Sequence, residues 1–312
     1  MSVFRVIFLG TPDFAKHHLE GLVNDEHFQV VGVVSQPDRP SGRNMRLAPS
    51  PVKKFALEKN LKVITPDSIK DPLVLKEIAS WKAEAAVVVA YGQIVPQAFL
   101  DLFPGRVVNV HGSLLPRWRG AAPIQRAVEA GDTITGVCLQ VMVKKLDAGD
   151  VIAQYSFSVS DEMNALDVHD AMIPLGKKLL SIDFMDYLRG NIFATPQDEA
   201  HITYAEKIDK SEAKIDWQKS AQEVHNHVRA MVMGPGSYSS HQGKKIKILK
   251  TRVLSKTNSI AGEILELTPT SFVVACKEGA IEVLELQPES RSKMTAKEFL
   301  LGANLKKGDR LL

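Results

Sequence analysis

Two side chains able to handle a carbonyl group stand two residues apart in the run Val107-Val108-Asn109-Val110-His111-Gly112. The run is short, apolar and β-branched, so it reads as a strand. In a strand, residues two apart share a face, so Asn109 and His111 project together while Val110 points away. Gly112 breaks the strand, and Ser113–Pro116 opens a loop. An imidazole can give or take a proton near neutral pH. An amide N–H can donate to an oxyanion forming at a carbonyl carbon. A carboxylate suits the third role, orienting the imidazole. Asp147, in Leu146-Asp147-Ala148-Gly149-Asp150, is the candidate, expected in a tight turn between two strands. Taken singly, each residue has a plainer reading. A histidine at a strand end is more often a satisfied hydrogen-bond partner, and an aspartate in a turn is a turn former.

The elements that must hold this group follow from the apolar pattern. Val3–Leu9, Phe28–Val34, Leu61–Ile64, Ala85–Ala90 and Val107–Val110 read as buried strands. Between them, Phe14–Val23, Pro51–Lys59, Asp71–Trp81 and Pro123–Ala130 read as helices, with Ser50 as an N-cap for the second. Alternation of this kind implies an α/β fold, a mostly parallel twisted sheet with helices on both faces and ligands at the carboxyl ends of its strands. From Ile134 the pattern turns to a hairpin, Gly136–Val143 and Asp150–Val159, and then to one long helix, Asn164–Arg189. Gly190–Tyr204 is polar and reads as a linker. Beyond it come one helix (Ser220–Met231) and the short strands Lys245–Leu249, Ile260–Leu267, Phe272–Ala275 and Ile281–Leu286, a pattern that suggests a small β-barrel. The domains are therefore placed at 1–189, 190–206 (linker) and 207–312.

The first turn, Leu9-Gly10-Thr11-Pro12-Asp13, sits where a dinucleotide fingerprint would lie. It holds one glycine of the three needed, and Pro12 removes a backbone donor, which argues against NAD. Thr11 or Asp13 is expected to cap the helix instead. The chain has 312 residues, 45% hydrophobic and 24% charged, in the ordinary globular range. Its two cysteines, Cys138 and Cys276, are too few and too far apart for a disulfide framework or a CxxC metal cluster. His225 and His227 are two apart on an expected helix and face different sides, so no metal site is expected. The sequence has no run of about 18 apolar residues, and its N-terminus lacks the marks of a secretory signal. A cytoplasmic protein without a membrane segment is expected, and a monomer.

The net charge of +3 is unevenly spread. Residues 1–206 hold 21 Lys/Arg against 24 Asp/Glu, or −3; residues 207–312 hold 18 against 12, or +6. A basic domain beside an acidic one is a candidate for a polyanionic partner. Within it, residues 244–256 carry six basic side chains and no acid. Lys245 and Lys247 alternate with Ile246 and Ile248, which puts the two lysines on one strand face. A solvated edge strand would show the same pattern.

The longer string from Asn109 through Leu114-Leu115-Pro116-Arg117-Trp118-Arg119-Gly120 to Pro123 and Gln125 resembles the folate-dependent formyltransferase superfamily. The likeness covers most of the chain. It takes in Phe8–Phe14, Gln36–Arg43, Ser50–Lys53, Val88–Gly92, Leu146–Asp150, Tyr204–Lys207 and Ile215–Trp217. It implies a Rossmann-like catalytic domain followed by an OB-like barrel, and 10-formyltetrahydrofolate as donor. Asn109, His111 and Asp147 fall on the family's catalytic positions. Ser113, Leu114, Leu115 and Pro116, with Ala90, Tyr91, Gly92 and Ile94, fall on its folate-lining segments. Within the family the chain resembles the branch whose acceptor is methionine carried on initiator tRNA. The long loop Gln36–Pro49 matches an insertion that contacts the acceptor stem, with Arg43 and Arg39 as tRNA-contacting residues beside Lys245 and Lys247. A sugar-nucleotide amine is the alternative acceptor, and would not need that loop. One segment departs from the family pattern: Met231–Gly236 stands where an Asn-Pro-aromatic-Pro sequence is usual.

Overall fold

The apolar runs of the first half fold as strands because both faces of their sheet are covered. A computed structural model describes residues 3–41, 46–255 and 259–312. In it β1 (Phe4–Gly10), β2 (Phe28–Val34), β3 (Val63–Ile64), β4 (Ala85–Val89) and β5 (Val107–His111) run parallel in the spatial order β3-β2-β1-β4-β5. β6 (Ile134–Val141) joins β5 antiparallel, and β7 (Val151–Ser158) forms the edge. Val6 through Leu9 and every residue of β4 are buried, as a doubly covered sheet requires. Strand order reverses between β1 and β4, so the loops after these two strands diverge and leave a crevice at their carboxyl ends.

Helices α1 (Asp13–Val23), α2 (Pro51–Glu58), α3 (Pro72–Ser80) and α4 (Gln97–Leu100) connect these strands. Ser50 caps α2 as expected, accepting from the Lys53 amide at 3.0 Å with Pro51 in the first turn. α1 starts otherwise. Its N-cap is Pro12, which makes no side-chain bond, and the Thr11 hydroxyl donates instead to the Tyr91 carbonyl at 2.7 Å. The side chain expected to cap a helix thus ties the loop after β1 to the loop after β4. Gly10 allows that approach: a Cβ there would come within 2.9 Å of the Val89 carbonyl oxygen and closer still to Phe8 and Ala15.

The expected long helix is continuous but not uniform. It runs as α6 (Ala165–Lys178), a π-helical stretch over Leu179–Phe184, and α7 (Met185–Arg189). Pro174 lies inside α6, where it lacks the N–H of a regular turn. Gly176 of this helix faces His18 of α1 so closely that a Cβ would fall 2.0 Å from His18 Nε2.

The chain divides into two compact units. One comprises 1–120, 135–157 and 169–204; the other comprises 121–134, 158–168 and 205–312. The second unit therefore gathers two pieces from ahead of residue 207. One is α5 (Pro123–Ala130), which packs on α8 (Ala221–Ala230). Arg126 of α5 donates to Glu129 and to both oxygens of Glu212, at 2.7–3.1 Å, and Glu129 also meets His227 Nδ1 at 3.1 Å. The strands of the barrel are β8 (Tyr238–His241), β9 (Lys244–Leu254), β10 (Ile264–Leu267), β11 (Phe272–Ala275), β12 (Ala280–Pro288) and β13 (Met294–Thr295). They form an antiparallel sheet ordered β8-β9-β12-β11-β10, with β13 on β12. Register shifts around Lys250 mark irregularities of the kind that bend a strand. The last residues close the gap, since Leu312 exchanges backbone bonds with Ser240 while Asp309 and Leu311 bond to Ile264 and Gly262. The result is the small barrel expected from the short strands, filled by Trp217, Val228, Ile248, Phe272 and Val283.

Where the family pattern is broken, Met231–Met233 forms a 3-10 turn and Gly234 takes a φ of 116°. Gln125 Nε2 donates to the Gly234 carbonyl at 3.0 Å, and Lys247 Nζ to that of Pro235 at 3.3 Å. These bonds hold a path that the local sequence does not specify. No helix among the described residues is long and apolar enough to cross a membrane.

Candidate active site

β5 ends at His111, and the strand period does what the spacing requires: Asn109 and His111 lie on one face. Antiparallel pairing with β6 sets Gln140 opposite Asn109 and Cys138 opposite His111. Asp147 comes from the loop joining β6 to β7. The tertiary structure brings all three together. Asn109 Nδ2 lies 3.5 Å from Asp147 Oδ1, and His111 Nδ1 lies 3.7 Å from Asp147 Oδ2. The side chains of His111 and Asp147 are only 6% and 10% exposed.

The histidine's tautomer follows from its other nitrogen. His111 Nε2 is 2.9 Å from the Trp118 carbonyl. A carbonyl only accepts, so Nε2 carries a proton and Nδ1 is the nitrogen turned to Asp147. The carboxylate is held by two further donors, Gln140 Nε2 on Oδ1 at 3.0 Å and the Gly120 amide on Oδ2 at 2.9 Å. Asp147 itself takes a φ of 47° and Trp118 one of 64°, left-handed conformations that a non-glycine residue keeps only when its surroundings impose them. Gly149 permits the turn, because a Cβ there would lie 1.7 Å from the Val141 carbonyl oxygen.

The segment expected to be a linker contributes to this site. Gln197 Nε2 donates to the carbonyls of Asp147 and Gly149, and its Oε1 accepts from Arg119. Sequence reasoning missed Gln140 and Gln197. For Gln140 a signal existed, a lone amide side chain in an otherwise apolar strand. For Gln197 there was none, since it sits in a polar stretch without periodicity. Trp118 and Gly120 act through main-chain groups, which residue type does not announce.

The residues matched to folate lining divide into two kinds. Ala90, Gly92 and Ile94 are exposed beyond β4, with φ of 44° at Ala90 and 87° at Gly92. Ile94, 75% exposed, offers an apolar surface there. Tyr91 turns the other way: its ring lies in the core among Ile7, Val34 and Trp81, and burial pushes its phenol up to about 12. Only its main chain faces the crevice, and its carbonyl already accepts from Thr11 and from Gln36. Ser113 is fully buried and donates to the Arg117 carbonyl at 2.6 Å, so it shapes the loop. Leu115 is buried, and Leu114 and Pro116 are partly so. This loop follows β4, which pairs with β5 through Val88 and Asn109.

Among the basic residues singled out, Arg39 is exposed and donates to Gln36 Oε1 at 3.1 Å. Arg43 lies outside the described residues. Lys245 and Lys247 share the outer face of β9, with Ile246 and Ile248 buried behind them. The Lys245 ammonium stands over the Tyr238 ring, 3.4 Å from its centroid. Among the described residues no group of three or more His, Cys, Asp or Glu could hold a metal ion.

A parallel sheet that presents Asn, His and Asp beyond one strand, followed by a small antiparallel barrel, is the build of a formyl transferase. The chain belongs to that family: residues 4–182 match formyl transferase and residues 207–304 its C-terminal domain. It is 53% identical to the methionyl-tRNA formyltransferase of Bdellovibrio bacteriovorus, over 100% of this chain and 99% of that one. It is 41% identical to the protein of the same name in Neisseria meningitidis serogroup A, over 98% and 100%. Among solved structures it is similar to an N-formyltransferase from Helicobacter canadensis in complex with folinic acid and dTDP-3-aminofucose. That likeness has a TM-score of 0.66 at 18% identity, over 90% of this chain and 99% of that one, and it speaks to the fold.

Proposed function

We propose that this chain transfers the formyl group of 10-formyltetrahydrofolate to the α-amino group of methionyl initiator tRNA, giving N-formylmethionyl-tRNA for translation initiation in the cytoplasm. The observation that carries the chemistry is the convergence of Asn109, His111 and Asp147 at the end of β5. The acceptor follows from full-length identity of 41–53% to methionyl-tRNA formyltransferases, against 18% to the enzyme bound to an amino-sugar nucleotide.

In this reading the neutral amine attacks the formyl carbon, and the carbonyl electron pair moves onto oxygen. Asn109 Nδ2 donates to that oxyanion, which forms in a site mostly shielded from water. His111, oriented by the Trp118 carbonyl, adds a second polar group to the oxyanion's surroundings. The attacking nitrogen then loses a proton, the bond to the folate nitrogen breaks, and that nitrogen receives a proton. Asp147 faces His111 across 3.7 Å, a gap wider than a hydrogen bond and suited to a bridging water or the amine itself. It orients His111 and routes the proton.

Formylation of charged initiator tRNA with the formyl-folate donor tests the assignment directly. Transfer to an amino-sugar nucleotide, with none to the tRNA, would move the acceptor to the alternative. The basic face of β9 gives a second check. Replacing Lys245 and Lys247 together by Ala is expected to raise KM for tRNA about 3- to 30-fold. It should also flatten the dependence of log KM on log salt by roughly 1 to 2, as the loss of phosphate contacts predicts. KM for the folate donor should stay unchanged. An unaltered salt slope would remove this face from the tRNA path.

A further inference from the structure

We propose that Gln197, working with Arg119, is a positioning residue of the active centre: it sets the main chain that carries Asp147, and formyl transfer depends on it. The proposal rests on the function above, in which Asp147 takes part in the chemistry.

Asp147 needs such a device. Its φ of 47° lies in the left-handed region, which a residue other than glycine keeps when its surroundings hold it there. Gln197 supplies the restraint. Its Nε2 spans the turn, donating to the Asp147 carbonyl at 2.9 Å and to the Gly149 carbonyl at 2.7 Å. The amide's orientation is not in question. Its Oε1 accepts from Arg119 Nε at 3.0 Å and Nη2 at 2.7 Å, and a guanidinium only donates. Both ends of the amide are therefore engaged, and rotating it would set donors against donors and carbonyls against carbonyls.

Arg119 joins the two halves of the site. Its neighbours Trp118 and Gly120 hold His111 and Asp147 through a carbonyl and an amide. Its side chain, 2% exposed, holds Gln197. The peptide that orients the imidazole and the turn that carries the carboxylate are thus linked through one buried guanidinium–amide pair. The segment bearing Gln197 is pinned on either side. Thr195 exchanges two backbone bonds of 2.8 Å with Val151 of β7. Thr203 accepts from the Arg119 amide at 2.9 Å through its carbonyl and from the Trp118 amide at 2.9 Å through its hydroxyl. This is more fixation than a connecting segment requires, and all of it bears on the residues around Asp147.

Two variants test the idea in the full-length enzyme. Gln197→Met removes every bond of the side chain and leaves a buried guanidinium whose Nη1 already has no hydrogen-bond partner among the described residues. That variant is prone to misfold. Gln197→Glu keeps an acceptor for Arg119, removes the donors to Asp147 and Gly149, and sets a carboxylate oxygen against those two carbonyls. For Gln197→Glu we expect kcat to fall about 10- to 100-fold, the range for groups that orient catalytic ligands, with KM for tRNA and donor each within about threefold. The deciding measurement is a double-mutant cycle in single turnover. If Gln197 acts through Asp147, adding Gln197→Glu to Asp147→Asn should change the rate by less than about twofold. The same rate factor in both backgrounds, or a raised KM at unchanged kcat, would overturn the proposal. A wild-type protein that formylates no tRNA would instead overturn the functional reading, before any variant is compared.

Discussion

Replacing Asn109, His111 or Asp147 by Ala is expected to lower kcat by about 100- to 1000-fold each, equivalent to roughly 3–4 kcal/mol of transition-state stabilisation, while the fold survives. The geometry gives each loss its own cause. Asn109→Ala deletes the amide N–H proposed to meet the oxyanion. His111→Ala deletes the ring that Trp118 holds with Nδ1 facing Asp147. Asp147→Ala removes the carboxylate on which Gln140 and the Gly120 amide converge. In the proposed mechanism the three act on one transition state, so double variants should cost far less than the sum of the singles. KM values should move little, since these groups matter most when charge develops on the formyl oxygen. Single-turnover rates with saturating substrates decide the matter, read beside thermal unfolding of the same samples. A variant with a near-normal single-turnover rate would strike its residue from the proposed site.

Acidification should weaken the first unit through His18. The ring is fully buried, Nδ1 donates to the Phe14 carbonyl at 2.7 Å, and Nε2 faces Gly176 with no hydrogen-bond partner. Burial pushes its pKa down from 6.5 to about 4, with a smaller push from nearby Lys177, against a raising contribution from the Phe14 bond. Above about pH 6.5 the ring is neutral in both folded and unfolded chains, and its packing contributes in full. Between 6.5 and 4 the unfolded chain binds a proton that the folded chain refuses, so stability falls as pH falls. The loss approaches about 3 kcal/mol near pH 4 and then levels off, once the folded ring is also protonated. His18→Asn keeps a donor for the Phe14 carbonyl and cannot titrate here. Subtracting its unfolding free energy from that of the wild type, pH by pH, isolates the effect. A difference that stays flat from pH 6.5 to 4 would exclude His18 as a source of acid sensitivity.

Much of the site was legible in the chain because two of its residues obey a local rule. Strand periodicity put Asn109 and His111 on one face before any fold was known, and a short apolar run told where the strand ended. Asp147 was legible as a turn residue and a candidate carboxylate partner, and the family likeness gave it the same place. Gln140 became a partner of Asp147 only because β6 pairs antiparallel with β5, a choice of neighbour that neither strand encodes by itself. Gln197 lies 50 residues from Asp147 along the chain and in a stretch without pattern. Thr11 shows local reasoning overruled: as a helix cap its hydroxyl would accept from an amide, and it donates instead to the Tyr91 carbonyl in the loop after β4.

The change of charge and of strand length put a boundary near residue 207, and the expectation of a barrel came from the same short strands. The membership of α5 in the second unit was not visible. It rests on α5 packing against α8 and on Arg126 reaching Glu212, and contacts distant in sequence leave no periodic trace. By itself the sequence determined most of the strands and helices and the two polar groups on β5, because these depend on spacing and side-chain type within a few residues. The tertiary structure alone decided which nitrogen of His111 faces Asp147, and which amides hold that carboxylate and its turn. Those choices are made by main-chain groups and by side chains far apart in sequence, and their positions exist only once the strands have paired.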